Sequence, residues 1–310
     1  MNDILIYFPT NIRNLLYNEI KNEELLEEIR IRINKPIILK FNKSEQIIKY
    51  FVNQEEILRI LQSVCENSIY SYQHQIAEGF VTVKGGHRVG ISGSCVVENG
   101  KVININYINS LNFRVARQIF NISKNALKYI LNIKENTIFN TLIVSKPGCG
   151  KTTLIKDITR QISDGTDDFK GLKVGVIDER GEIAALYRGI PQNDIGLRTD
   201  VIDNVSKNDG MKMLIRSMSP EVIIADEIGN INDIEAINYA VCSGTKGIFT
   251  AHGQVLEDLY INKTLNELMN QNIFEVIIFL NTKEKGEIRE VFILDKIERK
   301  YKKIEENKWL

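Results

Sequence analysis

The chain has 310 residues, 43% of them apolar, and its forty basic and forty acidic side chains cancel. That length predicts two domains with real cores. The charge balance excludes a bulk field that would draw the chain to nucleic acid or anionic lipid. No apolar run approaches the roughly 18 residues of a membrane span, and the first residues lack a signal-peptide core. A cytoplasmic protein with no direct membrane span, reaching a membrane only through partners, is therefore expected. Cys65, Cys95, Cys149 and Cys242 show no Cys-x-x-Cys spacing and the histidines are scattered, so neither a zinc site nor a disulfide framework is supported.

Taken in chain order, residues 1–122 read as a small α+β domain. Ile29, Ile31 and Ile33 alternate with Arg30 and Arg32 as in a half-buried strand, and Pro36 turns the chain into a second strand over 37–41. Ile57, Ile60, Leu61 and Val64 share one helical face. Ile69, Tyr72 and Ile76 begin another helix that ends near Gly79. The stretch 80–106 is strand-rich with a turn at Asn99-Gly100, and Leu111, Phe113 and Val115 form a further strand. A linker helix over 123–131, with Ser123 as its N-cap, belongs to a connecting segment 123–137.

From 138 to 310, strands and helices alternate. Strands are expected over 141–144, 173–177, 221–225 and 247–251, and helices from Lys151 and over 209–218, 232–242 and 255–270. A hairpin of 274–280 with 289–294 closes the domain, and the charged tail 296–309 reads as a solvated helix. Apolar strands alternating with helices imply a parallel sheet covered on both faces.

At the first of these strands, residues 145–152 (SKPGCGKT) fit the phosphate loop G-x-x-x-x-G-K-[ST] except at the first position. The motif stands between a buried strand and a helix, where backbone N–H groups and the helix N-terminus favour phosphate. The candidate nucleotide-binding segment is Ser145, Lys146, Pro147, Gly148, Cys149, Gly150, Lys151, Thr152 and Thr153. Lys151 would reach the β- and γ-phosphates of ATP and Thr152 would hold Mg2+, while Thr153 starts the helix. Serine in place of the first glycine is tolerated if residue 145 has a negative φ. Cys149, beside the helix N-terminus, is expected to favour thiolate and to react with alkylators.

"PEVIIADEIG" delivers Asp226 and Glu227 from an apolar strand to the same sheet edge, with Asp226 as a Mg2+ ligand through water and Glu227 as general base. "VGVIDERGE" ends a second strand in Asp178 and Glu179, and "GIFTAHG" a third in Thr250 and His252, which could sense the γ-phosphate. A glutamate following the aspartate points to an ATPase of the RecA/AAA+ kind rather than a small-molecule kinase.

With these stretches assembled, together with "EEIRIRINKPI", "QIAEGFVTVKGGHRVGISG" and "NFRVARQI", nearly the whole chain resembles the stage III sporulation protein AA family, ATPases similar to secretion and pilus motors. The resemblance implies a RecA-like P-loop fold, ATP hydrolysis, a ring-shaped homohexamer, and work with membrane proteins of a channel between mother cell and forespore. It places the Walker A role on Lys151 and Thr152, the Walker B role on Asp226 and Glu227, the acidic box on Asp178 and Glu179, and the histidine box on His252. Arg114 and Arg117 are candidates for an arginine reaching a nucleotide from the first domain, with Arg88 and Arg180 as weaker alternatives.

Other readings are a nucleic-acid-binding ATPase, a GTPase and a non-hydrolysing scaffold. Zero net charge argues against the first. The order of Asn281-Thr282-Lys283-Glu284 is wrong for a guanine-reading N-K-x-D, and Ser145 is the sole motive for the last.

Overall fold

The computed structural model describes residues 2–304. The chain forms two compact units, one of residues 1–117 with 186–192 and one of residues 118–185 with 193–310.

The first unit carries β1 (Leu26–Arg32), β2 (Pro36–Phe41), β3 (Ser44–Phe51), β4 (Phe80–Val83), β5 (His87–Glu98) and β6 (Lys101–Arg114). They make a six-stranded antiparallel sheet in the order β3-β2-β1-β6-β5-β4. The expected turn closes β5 onto β6, with Asn99 and Gly100 both at positive φ, as a tight hairpin demands. Helix α1 (Thr10–Glu19) and helix α2 (Gln54–Val64) contribute to the core. Asn53 and Glu56 form a capping box on α2, and Ile57, Ile60, Leu61 and Val64 are buried as their spacing predicts. The expected helix from Ile69 is instead a 3-10 turn, Ile69–Tyr72, followed by the short α3 (Gln73–Ala77), and Ile69 stays exposed.

In the second unit, α4 (Lys124–Ile130) precedes the main sheet. Ser123 is not its side-chain cap: the hydroxyl donates to the buried Asp157 Oδ2 at 2.6 Å. The sheet strands are β7 (Thr141–Ser145), β8 (Val174–Asp178), β9 (Thr199–Asp203), β10 (Val222–Ala225), β11 (Lys246–His252), β12 (Val276–Leu280), β13 (Ile288–Asp295) and β14 (Lys300–Lys303). Their order is β9-β8-β10-β11-β7-β12-β13-β14; the first six run parallel, β13 pairs antiparallel with β12, and β14 pairs antiparallel with β13. Helices α5 (Lys151–Asp164), α6 (Lys207–Met218), α7 (Ile231–Cys242), α8 (Leu256–Ile261) and α9 (Lys263–Asn270) accompany it. Two apolar clusters lie on the opposite faces, which is why β7, β8, β10 and β12 are apolar on both sides.

Three expectations fail locally. The single helix over 255–270 is two helices, because Asn262 leaves helical geometry and its side chain accepts from Leu265 N–H at 3.1 Å, capping the second. Strand β9, at the sheet edge, was not anticipated. The tail is a turn over 296–299 and a strand over Lys300–Lys303 rather than a helix, and its part beyond residue 304 lies outside the described residues. Asp295 Oδ1 accepts N–H bonds from Ile297 and Glu298 at 2.9 and 3.0 Å, which turns the chain back onto β13. Tyr301 then anchors it by donating to Phe274 O at 2.8 Å. Among the described residues, no helix is long and apolar enough to cross a membrane.

Candidate functional site

Parallel pairing brings the carboxyl ends of β7, β8, β10 and β11 to one edge of the sheet, and side chains from all four strand ends lie there. Strand β7 ends at Ser145, whose φ is not positive, so serine fits where the motif usually has glycine. The sharp turn is made instead by Gly148 and Gly150 at φ +79° and +94°, and α5 begins at Lys151.

The Lys151 side chain is buried. Its Nζ donates to Ser145 O at 3.0 Å and lies 3.2 Å from His252 Nδ1. Desolvation pulls the Lys151 pKa below the ordinary lysine value, against the opposing pull of the Asp226 and Glu227 charges. A buried cation held by carbonyl oxygens, with carboxylates nearby, is suited to receive a polyphosphate.

The Thr152 hydroxyl donates to Asp226 Oδ2 at 2.8 Å, joining the start of α5 to the end of β10. Thr250 on β11 donates its hydroxyl to Asp226 Oδ1 and accepts the Glu227 N–H at 2.8 Å. Glu227 is held at φ +50°, a conformation a non-glycine residue adopts at a cost. Its carboxylate meets Arg180 and lies 3.4 Å from His252 Nε2. The ring of His252 thus stands between Lys151 and Glu227. Accepting from the ammonium at Nδ1 would leave its proton on Nε2, facing the carboxylate.

Thr152 Oγ1 and the Asp226 carboxylate are hard oxygen donors of the kind magnesium takes, and are the residues here that could hold it. Among the described residues no group of three or more His, Cys, Asp or Glu side chains could hold a metal by itself. A cavity of about 20 Å³, enough for one water, has Asp178, Glu179, Arg180, Lys207, Asp226 and Glu227 among its lining residues.

Several sequence-based candidates are placed differently. The Asp178 carboxylate is buried and accepts four backbone N–H bonds, from Glu182, Ile183, Ala184 and Ala185, at 2.7–3.2 Å. It organises the turn after β8 and has no oxygen left over for a ligand. Cys149 is only 6% exposed, so the expected ready alkylation lacks access. Arg117 lies in the first unit, where its guanidinium donates to Glu23 O and Leu26 O at 2.8 and 2.6 Å, committing it to the backbone there. Arg88 stacks over Phe80 in the same unit, 4.5 Å from the ring centroid, and Arg114 is exposed at the end of β6. Glu179 pairs with Lys207, a mostly buried cation that the sequence reading missed. Its only signal was its position just after Ser206, the N-cap of α6.

The family model for sporulation stage III, protein AA, matches residues 1–298. The chain is 38% identical over 298 residues to stage III sporulation protein AA of Bacillus subtilis (strain 168), spanning 95% of this chain and 96% of that one. A stretch of 130 residues is 36% identical to uncharacterized protein ycf45 of Porphyra purpurea, 41% of this chain and 22% of that protein. Among solved structures, the Legionella pneumophila ATPase DotB superposes with a TM-score of 0.61 at 16% identity, covering 94% of this chain and 84% of that one. The pilus retraction motor PilT with bound ADP gives 0.55 at 16% identity, covering 86% and 76%. At such identities these two likenesses speak for the fold, a RecA-like α/β architecture. The match along residues 1–298 decides the family: the chain belongs to the stage III sporulation protein AA family.

Proposed function

We propose that the protein is a Mg2+-dependent ATPase of the secretion-motor kind, acting as a homohexameric ring with membrane proteins of a sporulation channel. The observation that carries the reading is the Thr152–Asp226 hydrogen bond at 2.8 Å, which joins the phosphate loop to the carboxylate strand beside a buried lysine. An ATPase and an ADP-binding pilus motor share the fold, which supports the nucleotide and the mechanical role.

In this reading the N–H groups of the loop and the Lys151 ammonium bind the β- and γ-phosphates. Thr152 and Asp226 would hold Mg2+, which when bound would offset the charge developing on the phosphate oxygens. Glu227 accepts a proton from water in the adjoining cavity, and its strained backbone aims the carboxylate. His252 links that base to Lys151, so arrival of phosphate at the lysine is felt at Glu227. Glu179 and Lys207 also line that cavity. Arg114 is retained as the residue that approaches the phosphates of a neighbouring subunit.

The test is phosphate release by the purified protein with and without Mg2+. Lys151→Ala is expected to abolish both hydrolysis and nucleotide binding. Absence of Mg2+-stimulated ATP turnover in the wild-type protein, free and with membrane partners, would overturn the proposal.

A further inference from the structure

Open sheet edges pair with other chains unless something blocks them, and the first unit blocks edges of its own sheet. Edge strand β3 exposes Glu45 and Lys49, and on edge strand β4 the Thr82 N–H is taken by Gln75 Oε1 at 3.0 Å. The outer half of β6 is different. Strand β1 pairs with β6 over 110–114, and the last bond between them is Ile33 N–H to Asn109 O at 3.0 Å. Over 101–108, β6 has β5 on one side and, among the described residues, no strand on the other. Residues 102–113 (VININYINSLNF) hold no charge, proline or glycine, a composition that favours strand pairing. The register with β5 shifts between Ser92 and Ser94, and Tyr107 beside that bulge has φ +48° and is 82% exposed. A tyrosine holds that backbone conformation only at a cost.

Beside this open stretch runs a groove of about 310 Å³. Five consecutive residues of β6, 104–108, line it. Neighbours along a strand point to opposite faces, so the groove follows the strand's edge rather than one face of the sheet. The opposite wall is Leu58 and Leu61 of α2 with Ile69 and Ile76, and no charged residue lines the groove. Leu61, Ile76, Ile105 and Ile108 are buried and belong to the core or its floor, whereas Leu58 and Ile69 are 42% and 43% exposed. An unpaired backbone edge therefore faces an apolar, neutral wall across an open slot.

We propose that this slot receives an extended, uncharged segment of a partner protein, which adds to the open edge of β6 as one more strand. Main-chain groups of 101–108 give the segment its hydrogen bonds, and its alternate side chains enter between Leu58, Ile69 and Ile108. The neutral lining selects the chemistry of the segment, because a charge placed there loses water and finds no partner. The wall of α2 and Ile69 closes the far side, so the slot admits a lone strand. The edge of another sheet, a second copy's own β6 included, brings a further strand with it and does not fit. Tyr107, exposed at the mouth, offers the kind of aromatic surface that dominates binding at protein interfaces.

The experiment is fluorescence anisotropy of the full chain with a labelled peptide of alternating threonine and valine. Two further peptides carry N-methyl groups on every threonine or on every valine, so that each lacks the N–H donors of one edge. The parent peptide is expected to bind. The N-methylated form whose blocked edge faces β6 is expected to bind about tenfold to a hundredfold more weakly, through the loss of main-chain hydrogen bonds. Leu58→Glu, which puts a charge into the slot from an exposed helical position, and Tyr107→Gly are each expected to weaken the parent peptide by about tenfold or more. Glycine adopts a positive φ readily, so Tyr107→Gly should keep or raise the melting temperature while binding falls, which misfolding cannot imitate. No binding of the parent peptide, equal binding of all three peptides, or full affinity in both variants would overturn the proposal. Self-association of the wild type that Leu58→Glu abolishes would put a second copy in the slot and overturn it as well.

Discussion

Two neighbouring parallel strands end in the same dipeptide, and the structure uses the two copies differently. At the end of β8, Asp178 is buried and spends both carboxylate oxygens on four backbone N–H groups of the following turn. At the end of β10, Asp226 accepts only side-chain hydroxyls, from Thr152 and Thr250, besides its neighbour's N–H. The glutamates diverge as well. Glu179 pairs with Lys207, whereas Glu227 sits on a strained backbone between Arg180 and His252. An apolar strand ending in Asp-Glu therefore announces a carboxylate at a sheet edge. Whether that carboxylate holds a loop or faces a ligand depends on where the next residues send their N–H groups.

This contrast can be broken by exchanging charge at each position. Glu227→Gln carries the largest expected effect: ATP turnover should fall by about 10²–10⁴-fold, the usual worth of a positioned base, with ATP binding retained. Phosphate release and nucleotide binding on the same preparation check it, and normal hydrolysis would remove Glu227 from the role of base.

Asp178→Asn should act on stability instead. Its amide nitrogen would face backbone donors, leaving N–H groups unpaired at a cost of about 2–4 kcal/mol. Chemical denaturation reads this. Unchanged stability with lost hydrolysis would show that Asp178 resembles Asp226 after all. Glu179→Gln, which keeps the shape but loses the charge opposite Lys207, should reduce turnover less than Glu227→Gln does. A loss as large as that of Glu227→Gln would make the two strand tips equivalent.

The remaining effect lies away from both tips, in the first unit, and shows only as the pH falls. Burial pushes the His87 pKa down from 6.5 to about 4, and its Nδ1 accepts the Ala116 N–H at 2.9 Å, which requires the neutral ring. Because the folded pKa is depressed, the unfolded chain takes up the proton first as pH falls. His87 therefore costs stability progressively from about pH 6.5 to about pH 4, and the full contribution is present above pH 6.5. Melting temperatures of His87→Asn over this range should fall less steeply than those of the wild type. Parallel curves would refute the assignment.

Much of this was legible in the sequence, and the reasons are local. Apolar stretches on β7, β8 and β10 announced strands buried on both faces, and the glycines at 148 and 150 announced a turn that no other residue makes easily. The helices broke where short-range competition won. Asn262 preferred to cap α9 rather than continue α8, and Asp295 folded the tail back as a strand against a helix-like charge pattern. Propensity summed over a window does not see one side chain capturing two N–H groups.

The sequence by itself determined that the glycine-rich turn 145–152 and the strand ending in Asp226 and Glu227 share one sheet edge, because strand–turn–helix order and hydrophobic burial fix the ends of parallel strands. Only the tertiary structure decided which aspartate binds the N–H groups of its own turn and which binds the hydroxyls of other elements. It also assigned Arg117 to its own unit's backbone, and set residues 186–192, which follow the turn held by Asp178, within the first unit. Those outcomes depend on partners distant in the chain, and a hydrogen-bond partner is chosen by proximity in the fold rather than by residue type.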